Sequence, residues 1–228
     1  MMQVRLTRYT KEPVQAIEEA AANCYDSVPS QDGKIMDACY KSGHGSVLEY
    51  VSFTWHISGV SRALLGQLTR HRHASFAVRS QRYVNENQFG YVTPPSILIE
   101  EKALALYNFT METLQGVYDK LTASGIPAED ARFVLPNACE TVIECNMNLR
   151  ELIHFCNERM CSRAQWEIRQ LAQMMAAEVV EVMPTAKKYL VPKCEAKAPF
   201  CFCTENKSCG KHAKLEEVFK FNGLQPRG

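Results

Sequence analysis

The chain has 228 residues, 46% of them hydrophobic, enough for one enzyme-sized domain to bury a core. Its 26 basic and 25 acidic residues nearly cancel, so no overall field draws it to nucleic acid or to an anionic membrane, and any anion site must be local. The opening MMQVRLTRYTKE has no long apolar run, and no other stretch approaches the roughly 20 apolar residues of a membrane span, which predicts a cytoplasmic protein.

Val4 and Leu6 alternate with polar neighbours as in a short strand. Pro13 to Tyr25 opens on a proline and is rich in alanine, as a helix is. A second short helix is expected from about Asp32 to Lys41, stopped by the glycines of SGHGS. Val47 to Ser58 is rich in aromatic and β-branched residues and reads as a strand, after which Val60 to Thr69 returns to helical spacing. Beyond the Pro94-Pro95 break, Ile97 to Ser124 predicts one long amphipathic helix that buries Leu98, Ala105, Tyr107, Met111, Leu114 and Val117. A further helix is expected from about Pro127 and a short strand at Thr141 to Cys145. Two helices follow, Leu149 to Cys161 and Ala164 to Val182, separated near Ser162 and ended by Pro184. The fold class is α+β, a helix-rich body with a small sheet, and no internal repeat is present. The periodic pattern stops near Val191, dividing the chain into a packed domain, 1–191, and a Cys/Lys-rich tail, 192–228.

Of the ten cysteines, Cys24, Cys39, Cys139, Cys145, Cys156 and Cys161 are scattered through expected helices and strands and read as reduced, mostly buried thiols. Cys194, Cys201, Cys203 and Cys209 lie with His212 within nineteen residues of the tail. They are candidate zinc ligands, but their spacings are not paired C-x-x-C knuckles; a flexible tail of reduced thiols is the alternative, and no metal is assigned.

Between Glu49 and Glu86 there is no carboxylate, yet the interval holds Arg62, Arg70, Arg72, Arg79 and Arg82 with His56, His71 and His73. Guanidiniums grip phosphate in a bidentate fork, and the interleaved Ser75 and Ser80 add neutral donors, so the chemistry suits a nucleotide. The plain alternative is a solvated basic face. Spacing discriminates between them: Arg70-His71-Arg72, seven residues, then Ser80 resembles the signature of the flavin-dependent thymidylate synthases. The SGHGSVLEY segment resembles that family's Gly-His-x-Ser/Thr stretch, and the run from Asn148 through Arg159 to AQWEIR resembles its C-terminal block.

The resemblance implies a small, mainly antiparallel sheet in a helix-rich body, and a homotetramer whose active sites are shared between subunits around FAD. On its pattern, Arg70, His71 and Arg72 contact FAD with Ser46 and His44, while Met147, Asn148, Leu149, Arg150 and His154 complete the cofactor site from another chain. The dUMP set is Gln67, Leu68, Thr69 and Arg70, with Arg79, Ser80, Gln81 and Arg82 on the phosphate from a neighbouring chain, and Arg132 and Arg159 reaching the nucleotide. One departure stands out: where the family has Glu or Gln two residues before the motif serine, this chain has Val78, which leaves only main-chain contacts to either ligand there. Tyr83 is a candidate for stacking beside the nucleotide.

The reaction implied is methylation of dUMP to dTMP, with methylenetetrahydrofolate as carbon donor, NADPH as reductant and reduced flavin supplying the hydride. Carbon 5 of uracil is a poor nucleophile, and Arg159 is the catalytic candidate because a permanent charge beside N3 and O2 favours the ionised ring. A salt bridge from Arg159 to Glu158 or Glu167 is the plain alternative. Ser80 has no relay partner at a defensible spacing and is assigned to binding. Two rivals remain: a nucleic-acid-binding protein, disfavoured by the neutral charge balance, and a flavoprotein acting on another nucleotide.

Overall fold

The computed structural model describes residues 1–24, 26–30 and 32–221, and of 219–221 the backbone only. Four strands form one sheet: β1 (Gln3–Tyr9), β2 (Ser52–Ser61), β3 (Ala74–Val78) and β4 (Glu140–Asn148), in the order β1-β2-β4-β3. Partners on β2 and β4 run in opposite senses, Thr54 with Asn146 and His56 with Glu144, so this central pair is antiparallel. Along β2, Phe53, Trp55 and Ile57 are buried in alternation, as are Ile143, Cys145 and Met147 on β4, the period-two pattern of a sheet with a core face. The helices are α1 (Pro13–Cys24), α2 (Lys34–Ser42), α3 (Arg62–Leu68), α4 (Pro95–Leu98), α5 (Glu101–Ala123), α6 (Ala128–Ala131), α7 (Leu149–Arg159), α8 (Trp166–Val182) and α9 (Leu215–Phe221). Among the described residues no helix is long and apolar enough to cross a membrane.

Two compact units divide the chain, and the division falls within β1, β2 and β4. The first comprises Met1–Arg5 and Trp55–Cys145. There β2 passes into α3 with no loop, and Ser61, itself buried, caps the helix: its Oγ accepts the Leu64 N–H at 3.0 Å. Gly59 sits at φ +66°, and a Cβ there would lie 2.4 Å from the Met1 carbonyl oxygen, so only glycine lets the N-terminal backbone approach so closely. Met111 and Tyr118 of α5 are buried, and Phe89, Met111 and Cys139 form a local core with Tyr107 and Leu114 packed against it. Gln115 accepts the Phe89 N–H and donates to the Glu86 carbonyl, and the Tyr118 hydroxyl accepts the Glu86 N–H, so α5 pins the loop from Glu86 to Phe89.

The second unit comprises Leu6–Thr54 and Asn146–Gly228. Its core takes Ile17 and Ala21 of α1, Met36 of α2, Leu152 and Phe155 of α7, and Leu171, Met175 and Val179 of α8, at helical spacing along each element. Glu18 is fully buried and satisfied, accepting the Met36 N–H and the Ser30 hydroxyl. As on α3, a strand runs directly into a helix: Asn148 ends β4 and caps α7, its Oδ1 accepting the Glu151 N–H at 2.8 Å. Asn148 with Glu151 three residues on is a capping-box spacing.

Several boundaries differ from the sequence expectations. The expected strand from Val47 is a 3₁₀ turn over Gly45–Tyr50, with the strand starting at Ser52; Val47 and Leu48 are buried, so their apolar character marks packing rather than extension. The expected single helix from Ile97 is two, because Glu100 turns its side chain to cap the Ala103 N–H and restarts the helix. Its buried face runs Tyr107, Met111, Leu114, Tyr118; Leu98, Ala105 and Val117 are exposed and out of phase with it. Strand β3 has no counterpart among those expectations. The helix over Pro13 ends, as described, at Cys24, and its expected last residue, Tyr25, lies outside the described residues, as do 222–228 of the tail. The glycine stop after α2 is present: Gly43 is left-handed at φ +81°, and the His44 N–H bonds back to the Cys39 carbonyl.

Replacing Ser61 by alanine removes the α3 cap and is expected to cost about 1 kcal/mol of stability. Urea unfolding of S61A against the parent measures this, and an unchanged midpoint would show that the cap contributes nothing.

Candidate nucleotide-binding site

The Arg70-His71-Arg72 turn follows α3 because the helix has nowhere to continue: Thr69 closes the last turn, its hydroxyl donating to the Leu65 carbonyl, and the Arg70 and His71 N–H groups bond to Gln67 and Leu68 carbonyls. Arg70 and Arg72 are exposed, whereas His71 is buried. Among the described residues neither exposed guanidinium has an ion pair or side-chain hydrogen bond, so two fixed positive charges face solvent from one tight turn. Leu68 lies fully in the core and has only main-chain groups to offer a ligand.

Strand β3 then carries Val78, half-buried at its end, and delivers Arg79 to Arg82 onto the same unit. Arg79 is anchored through its backbone, its N–H donating to the Val142 carbonyl while its own carbonyl accepts Arg62 Nη2 at 2.7 Å. Its guanidinium lies 3.4 Å from buried Glu86. Arg82 is held by Glu129, with Nε at 3.0 Å and Nη2 at 2.9 Å from one carboxylate oxygen, and stands over the exposed Tyr83 ring at 5.3 Å. Ser80 Oγ accepts the Arg82 N–H, which leaves its proton free to donate. Gln81 is turned inward, with Nε2 at 3.5 Å from Cys139 Sγ. Arg132 donates to the Glu129 main-chain carbonyl, and the two carboxylates, Glu86 on Arg79 and Glu129 on Arg82, come from outside the acid-free segment.

Sequence reading does not single out those carboxylates. Glu86, the first acid after the bare stretch, lines a cavity of about 320 Å³ with Arg79, Gly90, Glu140 and Thr141. Glu86 Oε1 and Thr141 Oγ1 are buried without a hydrogen-bond partner among the described residues. Burial lowers the pKa of Arg62, against the opposing pull of nearby Cys139 and Glu86. Burial, with Glu86 adding to it, pushes the Cys139 thiol up to about 11.

In the second unit, the SGHGSVLEY segment meets the start of α7. Arg150 lies across Gly45, where a Cβ would come within 3.1 Å of its Nε, and its Nη1 donates to Glu49 at 2.6 Å. Ser46, His44 and His154 are exposed. The turn at Gly43 is closed by backbone bonds, so the exposed His44 ring is not what closes it. Met147 and Leu149 are fully buried, and the Leu149 N–H is taken by the Val51 carbonyl. Arg159 ends α7, half-buried, at the helix terminus that favours a cation.

The family described as thymidylate synthase complementing protein matches residues 5–185. Among characterised relatives, the flavin-dependent thymidylate synthase of Geobacter sulfurreducens is 42% identical over 232 aligned residues, covering 96% of this chain and 98% of its own. That of Clostridium tetani is 38% identical over 245, covering 96% and 97%. Among solved structures, Helicobacter pylori thymidylate synthase X with FAD and dUMP superposes with a TM-score of 0.66 at 24% identity, over 86% of this chain and all of that one. The UMP/dUMP methylase PolB of Streptomyces cacaoi with 5-Br dUMP gives 0.69 at 23%, over 83% and 94%. These two likenesses carry the fold.

The raised, buried Cys139 thiol should resist alkylation of the native protein at pH 8, while exposed Cys24 reacts. Peptide mass mapping after brief iodoacetamide treatment reads both, and labelling of Cys139 at the rate of Cys24 would contradict the environment described.

Proposed function

The chain belongs to the flavin-dependent thymidylate synthases, and we propose that it methylates dUMP to dTMP with FAD as cofactor, methylenetetrahydrofolate as carbon donor and NADPH as reductant, in a homotetramer with shared sites. The observation that carries this reading is the acid-free segment itself: it presents Arg70 and Arg72 unpaired from one turn and Arg79 and Arg82 a few residues on, in a chain whose family match spans it.

The donor set fits FAD. Two unpartnered guanidiniums on a tight turn suit a diphosphate, with main-chain groups from Val78; on the family's pattern Ser46 and His44, and from another subunit Asn148, Arg150 and His154 with Met147 and Leu149, would add donors and packing. When bound, FAD supplies the hydride chemistry that no side chain of this protein can perform.

The phosphate of dUMP falls to Arg79, Ser80, Gln81 and Arg82, with Gln67, Thr69 and Arg132 as further polar contacts. The Arg82–Glu129 pair is about half exposed on both sides, so it contributes little to stability and yields readily to a phosphate, whose bidentate bonds are stronger. The catalytic role falls to Arg159, whose guanidinium beside the N3 and O2 edge stabilises negative charge on the ring and raises electron density at C5. Holding the flat rings together then replaces a rare encounter by an intramolecular step.

Anaerobic incubation with FAD, NADPH, methylenetetrahydrofolate and dUMP should yield dTMP by mass, with UMP run in parallel as the competing nucleotide. Arg159→Ala should lower kcat by on the order of 10²–10³ while flavin binding persists. If flavin binds and no dTMP forms, the substrate assignment fails; if R159A turns over normally, Arg159 is structural. In the same assay Arg82→Ala should raise the KM for dUMP and Glu129→Ala should lower it, with stability changed by less than about 0.5 kcal/mol in E129A. A raised KM in E129A would show that the carboxylate positions Arg82 rather than competing with phosphate.

A further inference from the structure

The segment from Pro192 folds without the means that usually fold a segment. Among the described residues from 192 to 218, Cys203 is the one buried hydrophobic. The backbone is nonetheless ordered by specific bonds: Lys193 N–H to the Asn157 carbonyl, Phe202 N–H to Cys194, Cys203 N–H to Ala213, and a parallel bridge between Cys203 and Lys214. A piece of this length that buries almost no apolar surface does not offset its own chain entropy, and small segments of that kind are held by disulfides or metals. All ten cysteines are free thiols, so disulfides are not the answer.

The thiols are instead gathered. A cavity of about 240 Å³ in this unit is lined by Cys161, Cys194, Cys203 and Cys209 together with His212. One donor atom each from Cys194, Glu195 and His212 falls within 4.8 Å of the others, and His212 Nε2 is 3.3 Å from Glu195 Oε1. Tetrahedral zinc, with bonds of about 2.0 Å to nitrogen or oxygen and 2.3 Å to sulfur, sets its ligand atoms roughly 3.3–3.8 Å apart, within a small side-chain adjustment of this spacing. Cys209-Gly210-Lys211-His212 is a C-x-x-H segment that turns at Gly210, at φ +87°, and both of its end residues line this cavity, with the Cys209 thiol now hydrogen-bonded to Ser162. We propose that the tail binds one thiophilic divalent cation, zinc, on Cys194, Glu195 and His212, with the Cys209 thiol, which lines the same cavity outside that cluster, swinging from Ser162 to become the fourth ligand. Lys211, now paired with Glu195, remains beside the site to offset the negative charge of two thiolates and a carboxylate around the ion. The site is structural: four protein ligands leave no open position for catalysis.

The full chain would be loaded with zinc, dialysed, and its metal content measured by mass spectrometry; Co²⁺ would be loaded in parallel and its thiolate-to-metal charge-transfer absorption recorded. The expected result is about one metal per chain with a thiolate band, a tenfold or greater loss of occupancy in Cys194→Ser and in His212→Ala, and no change in Cys24→Ser. Cys194→His, which keeps a ligand, should retain metal with a weaker band, so a loss caused by misfolding is told apart from a loss caused by a missing ligand. Chelation should also open residues 192–221 to protease while the rest of the chain resists. No bound metal in the folded parent, or occupancy indifferent to Cys194 and His212, would overturn the proposal.

Discussion

Two strand ends become helix starts with no residue to spare, and the geometry of both candidate binding segments depends on it. Ser61 ends β2 and caps α3; Asn148 ends β4 and caps α7. In each case one polar side chain satisfies an N–H that the sheet can no longer pair and the helix cannot yet pair, at about 1 kcal/mol each. The consequence is directional. A capped start fixes the axis of a seven-residue helix, and that axis fixes where the Arg70-His71-Arg72 turn emerges; the same device sets Arg150 against Gly45.

The second constraint is electrostatic. Removing every carboxylate between Glu49 and Glu86 concentrates positive charge on one segment, and the fold then returns acids to it selectively from elsewhere. Buried Glu86 faces Arg79 and Glu129 holds Arg82, whereas Arg70 and Arg72 receive none among the described residues. Two arginines are therefore prepositioned, Arg79 by a buried carboxylate and Arg82 by a half-exposed and replaceable one, and two are left open. That arrangement suits a protein that must recognise both a flavin diphosphate and a nucleotide phosphate with side chains a few residues apart.

Much of this is legible in the sequence, and the failures share a cause. Long periodic elements such as α7 and α8, the glycine stop at Gly43 and the arginine spacing can be read because each rests on local chemistry. The 3₁₀ turn at Gly45–Tyr50 reads as strand because Val47 and Leu48 are apolar for packing, a tertiary reason. Glu100 splits a helix because its side chain takes a cap over continuation, and of the expected face Tyr107, Met111 and Leu114 do pack against Phe89 and Cys139, while Tyr118 rather than Val117 continues it. In the site, the motif residues can be found from spacing and their carboxylate partners cannot, since Glu86 and Glu129 reach the arginines through the fold. The tail illustrates the reverse: its spacings are unremarkable for zinc, and only the folded chain brings Cys194, Glu195 and His212 together.

Recognition of FAD by the arginine turn is tested most directly by titrating flavin-free protein with FAD and following flavin fluorescence, with Arg72→Ala and the exposed control Arg8→Ala measured alongside. Saturable binding that weakens at least tenfold in R72A and is unchanged in R8A is the result this account predicts. Equal affinity in all three would contradict it and leave the acid-free segment a solvated basic face.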